Sequence, residues 1–91
     1  MRAQPGSGDL HEAAMKMADQ ARRALSNDDH LVAAAYFTAA AEMERQVLAL
    51  VPSSKERTRL VTADSMANLI AAASDARRQA VRSAEQVRES R

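Results

Sequence analysis

From Asp28 to Val51 the chain reads DDHLVAAAYFTAAAEMERQVLALV, and its apolar positions occupy two faces of a helix at once. Ala33, Phe37, Ala40, Val47, Leu48 and Val51 share one side, and Val32, Tyr36, Ala39, Met43 and Leu50 share another. A helix that is apolar over more than one stripe has to be covered from more than one side. The segment is therefore expected to be the middle helix of an antiparallel three-helix bundle, with its two neighbours in the chain as covers.

The preceding segment carries one stripe, Leu10, Ala14, Met17, Ala21 and Leu25, with Lys16, Asp19, Gln20 and Arg23 opposite. That is the pattern of an outer helix, expected over about residues 10–26 and opened by a capping box of Asp9 and Glu12. Pro5, Gly6, Ser7 and Gly8 oppose regular structure, so residues 1–8 are expected to form a disordered leader. Ser26-Asn27-Asp28-Asp29 is the first break. Asn27 tolerates the left-handed conformation that ends a helix, and Asp28 or Asp29 can cap the next one, expected over about 29–50. A connection this short makes the two helices antiparallel neighbours.

Pro52 disfavours helix at Val51, and Ser53 with Glu56 supplies a second capping box. A long third helix is expected over about 54–89. Its first stripe is Leu60, Ala63, Ala67, Ile70 and Ser74, with Met66, Leu69 and Ala73 beside it. Ser74-Asp75 is the one polar pair at which this helix could break. The whole of residues 9–91 is read as a single helical domain.

Composition sharpens this picture mainly by exclusion. With one Phe, one Tyr and no Trp, an all-β core is implausible, and the fold class is all-α. Cys is absent, which removes disulfides, thiolate chemistry and cysteine-ligated zinc. No run approaches the roughly eighteen continuous apolar residues of a membrane span, so no membrane insertion is expected and the location expected is cytoplasmic. Eleven arginines to two lysines, together with the abundant alanine, suit a GC-rich bacterial genome. The net charge of +1 conceals a lean, since residues 52–91 carry eight basic and five acidic side chains. That is well short of the basic stripes of nucleic-acid binders.

Candidate chemistry is sparse. His11 and His30 stand at the starts of consecutive antiparallel helices and so belong at opposite ends of the bundle, where they share no metal. Glu42, Glu44 and Asp64 would face one another only in one register of helices 2 and 3, and no Glu-x-x-His motif accompanies them. No glycine-rich loop is present, and no serine has a local histidine partner. No catalytic residue, metal or cofactor is expected, and the chain is read as a non-enzyme.

The order Met17, Ala21, Ala33, Phe37, Ala40 resembles one tetratricopeptide repeat, with Ala21 in place of its Gly and Ala24 in place of its Tyr. The plan over roughly residues 12–80 resembles the microtubule-interacting-and-transport domain, a three-helix relative with a longer third helix. It shows in Ala14 to Leu25, the Asn27-Asp28-Asp29 turn, Ala33-Tyr36-Phe37-Ala40, and the Arg59 to Arg77 helix. Both resemblances imply a TPR-like, MIT-like adaptor for protein binding, which holds a helical or extended peptide of a partner in a groove between helices. The expected contacts are Met66, Leu69, Ile70 and Ala73 on helix 3, with Arg77 and Arg78 meeting acidic residues. One alternative is a structural homodimer closed through the long third helix. A second is weak binding of nucleic acid or an acidic partner by the basic C-terminal segment containing Arg77, Arg78, Arg82, Arg88 and Arg91.

Overall fold

The computed structural model describes residues 6–90, in which three helices follow one another: α1 (Ser7–Ser26), α2 (His30–Leu50) and α3 (Glu56–Glu89). Among the described residues there is no strand, so the chain is an all-α three-helix bundle. The middle helix packs against both others, while α1 and α3 barely meet. His11 near the start of α1 reaches Glu44 near the end of α2, and Arg59 early in α3 reaches Leu48 and Val51, so successive helices are antiparallel. No helix among the described residues is long and apolar enough to cross a membrane.

The core is a seam of alanines. Ala14, Ala18, Ala21 and Ala24 of α1, Ala33, Ala34, Ala40 and Ala41 of α2, and Ala73 and Ala76 of α3 are all buried, joined by Phe37 and Leu69. Small side chains let helix axes approach closely, so alanine occupies the line of contact and longer side chains move to its edges. Met15, Met17, Tyr36, Met43 and Met66 accordingly pack against the seam while only partly buried. This corrects the stripe expected for α1, where Leu25 is left 37% exposed and Ala18 and Ala24 take the inner positions. On α3 the order of the two stripes is reversed. Leu69 and Ala73 face inward, whereas Leu60 and Ile70 are exposed at 65% and 50%.

On α2 the two expected stripes are one broad buried band, from Ala33 and Ala34 through Phe37, Ala40 and Ala41 to Glu44, Val47 and Val51. Tyr36, Ala39 and Met43 form its shoulder, and Val32 and Leu50 are open to solvent. One flank of the middle helix, including Leu31, Ala35, Glu42 and Arg45, therefore faces water.

The helix ends differ from expectation for local reasons. Helix α1 starts at Ser7, and the Asp9 carboxylate accepts a hydrogen bond from the Gly6 backbone N–H at 3.3 Å. The reach-back from the third helical position thus sits three residues earlier than the Asp9/Glu12 box, and residues 6–8 belong to the structured chain. The remainder of the expected leader, residues 1–5, lies outside the described residues. At the other end, Asp28 rather than Asn27 is left-handed, with φ 58°. The Asp29 N–H donates to Ala24 O at 2.9 Å and the Asp28 N–H to Leu25 O at 3.0 Å, the paired bonds of a Schellman motif.

The Ser53/Glu56 box does not form. Lys55 N–H donates to Pro52 O at 3.0 Å, which places Ser53 and Ser54 inside a tight turn and leaves Glu56 as the first helical residue instead of the third. From there α3 runs through Ser74-Asp75 without a break. Its 34 residues span about 51 Å at roughly 1.5 Å each, against 21 residues in α2. Residues 81–90 are exposed throughout and project beyond the start of α2.

Candidate functional site: a cleft between the first turns of α1 and α3

Where α1 and α3 begin and α2 ends, the three helices frame an open cleft of about 440 Å³. Its floor comes from the last turns of α2, where Val47 and Val51 are nearly covered at 4% and 7% exposure. One wall is Ser7, Gly8 and His11, and the other is Arg57, Thr58, Val61 and Thr62. Val61 stands on the rim at 64% exposure. The Thr62 hydroxyl donates to Thr58 O at 2.9 Å, so it brings no free donor to the site. An apolar floor with a few polar groups at its edge is the usual composition of a binding site, and the volume lies in the usual range of roughly 300–1,000 Å³.

Beneath this cleft lies the one fully buried charged side chain among the described residues. Glu44 is 1% exposed, and its Oε1 is 2.9 Å from His11 Nδ1. A carboxylate in an alanine core would be very costly alone; the His11 N–H supplies its hydrogen bond from the cleft wall. The α2 terminus is secured separately. Arg59 Nη1 donates to Leu48 O at 3.2 Å and to Val51 O at 3.0 Å, which satisfies carbonyls that a helix end otherwise leaves open.

The six residues expected to bind a partner are divided by the structure. Leu69 and Ala73 lie inside the core and Met66 is packed against it, so none of these three offers a free surface in this conformation. Ile70 points outward on its own. Arg77 donates to Thr38 Oγ1 at 3.4 Å, and Arg78 pairs with Asp75 at 3.5 Å. Beyond them, with Val81, Arg82 and Glu85, they outline a shallow depression of about 370 Å³ carried by α3 alone.

Glu42, Glu44 and Asp64 are not brought together. Glu42 and Asp64 are exposed, and Glu42 takes a two-point hydrogen bond from Arg45. That hydrogen bond holds the Glu42 carboxyl below the usual glutamate value; desolvation opposes it, and the positive charge of Arg45 acts with it. Among the described residues no group of three His, Cys, Asp or Glu side chains is placed to hold a metal. His11 is tied to Glu44, and His30 buries its Nδ1 without a partner among the described residues.

The His11–Glu44 pair was missed in the sequence, yet it left a trace there. Ala40 and Val47 are seven residues apart on one stripe, and Glu44 is the residue that fills the gap. A charged residue in a core position requires a partner, and His11, one turn before Ala14 on the covering helix, was the one to test. Comparisons with protein-family models, with curated proteins and with solved structures find no match to this chain.

Proposed function

We propose that this chain is a non-catalytic protein-binding module, and that its docking surface is the cleft between α1 and α3 floored by Val47 and Val51. The observation that carries the reading is the cleft itself. Along the middle of the bundle the helices close on alanine, whereas here the space between two helix walls stays open, with Val61 exposed at its rim above the covered Val47 and Val51. A groove of this kind accepts an amphipathic helix laid across it, or aliphatic side chains of an extended segment. The resemblance of its order of parts to tetratricopeptide and microtubule-interacting-and-transport domains supports an adaptor of the same type. Relative to the helix 3 surface expected from sequence, the docking face moves to the start of that helix, because Leu69 and Ala73 are already used in the core.

The test is selection from a displayed library of random 16-residue peptides against the full chain, with the selected peptides then titrated by fluorescence anisotropy. Val61→Asp should abolish their binding while leaving the helical circular dichroism unchanged, because Val61 is mostly exposed. Peptides that bind Val61→Asp as tightly as the parent would place docking elsewhere and overturn this reading.

A further inference from the structure

We propose that the projecting end of α3 is a self-association element, by which two copies of this chain pair about a two-fold axis at the end of the bundle opposite the cleft. The proposal is independent of what the cleft binds. Along α3, Met66, Leu69, Ala73, Ala76 and Ala80 form the face that lies toward α2. The same alternating three- and four-residue spacing continues to Ser83, which borders the first turn of α2, and to Val87, which is bare at 61% exposure.

Beside this bare face is a hollow of about 390 Å³ between the first turn of α2 and the flank of α3. Leu31, Val32 and Ala80 give it an apolar side, and Leu31 and Val32 are 70% and 47% exposed. Asp28 and Asp29 give it an acidic side. Among the described residues neither aspartate takes part in an ion pair, and neither does Arg88 at the tip of α3. His30 lines the same hollow with its unpartnered Nδ1.

A second copy fits all of these features with one placement. When two α3 ends cross antiparallel between Ser83 and Ala84, Val87 of each copy lies opposite Ala80 of the other and enters its hollow. Arg88 then falls beside the two aspartates. Arg78, Arg82, Glu85 and Glu89 lie on the far side of α3 from Ala80 and Val87 and stay in solvent, so the crossing itself brings no like charges together. Small residues at the crossing, Ala80, Ser83 and Ala84, allow the close approach. The same patch serves both copies, as a two-fold interface requires. Two helix tips and two hollows make a small interface, in the transient class below about 1,200 Å², so the association is concentration-dependent.

Sedimentation velocity of the full chain between about 5 and 500 µM tests this. A monomer–dimer equilibrium is expected. Val87→Asp should weaken it at least tenfold, as should removal of the chain from residue 84 onward, where residues 84–90 are all exposed. Asp29→Arg and Arg88→Asp should each weaken it roughly fivefold, and the two together should restore it, because the reversed charges meet again across the axis. A chain that stays monomeric at the highest concentration overturns the proposal. So does a dimer that survives the truncation, or a double reversal no better than its singles. Circular dichroism of each variant separates loss of pairing from loss of fold.

Discussion

Removing the His11 imidazole would strand the Glu44 carboxylate in the core, and the cost can be bounded from the structure. Breaking a buried pair from one side costs roughly 3–5 kcal/mol when the remaining charge has no access to water. Here the His11 side chain is 53% exposed and lines an open cleft, so water can follow it out and reach Glu44. The expectation for His11→Ala is therefore lower, about 1.5–3 kcal/mol. In a domain of this size each kcal/mol lowers the unfolding midpoint by about 4–8 °C, so a loss on the order of 10 °C should be seen by circular dichroism. Replacing the acid tells a different story. Glu44→Leu removes both the charge and the need for a partner, so it should be neutral or stabilising by up to about 3 kcal/mol. The decisive measurement is the cycle of the two single variants and the double variant. In the Glu44→Leu background His11→Ala should cost less than about 0.5 kcal/mol. An undiminished cost there would mean that His11 acts through packing alone, and the argument for a buried polar lock would fail.

Asp28 is left-handed in the Schellman turn between α1 and α2, a conformation that glycine adopts without strain. Asp28→Gly should stabilise the chain by about 0.5–1 kcal/mol in urea unfolding, and a loss would show that the aspartate side chain is itself needed there. Arg59→Ala releases the Leu48 and Val51 carbonyls at the end of α2 and should cost about 1–2 kcal/mol, with faster amide exchange confined to the last turn of that helix. The Glu42–Arg45 pair sets a pH dependence. Because the folded carboxyl is held below its ordinary value, its contribution is present above the usual glutamate range and fades as pH falls through the lower folded value. Carbon-13 titration should find Glu42 below the ordinary glutamate value, and Arg45→Ala should bring it back toward that value.

The helical class, the antiparallel order and the uninterrupted third helix were legible because each rests on local information: apolar period, short connections, and the lack of Gly or Pro after Pro52. Which stripe faces inward was less so. Periodicity presents Ile70 and Leu69 as near equals on adjacent stripes, and only the position of α2 selects Leu69. Weighting stripes by side-chain size also misleads here, since a closely approached seam favours Ala18 and Ala24 over Leu25. The caps were misplaced because an Asp or Ser three residues before a Glu marks a start only where the chain enters the helix there, whereas at α1 Asp9 is itself the residue that reaches back and at α3 Ser53 lies in a turn. Gly6 has no side chain to advertise that α1 starts beside it. The cleft was not read from the sequence, which pointed instead to Met66, Leu69, Ile70 and Ala73, because its residues come from three distant segments, Ser7 to His11, Val47 to Val51 and Arg57 to Thr62. Nothing local connects them.

The same seam that closes the bundle explains where it stays open. Helix spacing follows the side chains at the contact, and from Ala33 to Ala41 the inner positions of α2 are mostly alanine. After Ala41 the inner sequence becomes Glu44, Val47 and Val51, all larger, while on α1 the inner alanines end at Ala14 and give way to His11 and Ser7. Larger groups on the middle helix should hold its neighbours apart at this end, and this is the end where the cleft lies. His11–Glu44 sits at the transition, one turn below the opening, where it fixes the first turns of α1 against α2. Under the proposed function, stability and docking are then coupled through one contact. Loss of the pair should loosen the Ser7 to His11 wall before it affects the alanine seam, so peptide affinity should fall at temperatures where the helices are still intact. Affinity and helicity that decline together on heating His11→Ala would show that the wall has no independent motion, and would separate the lock from the site.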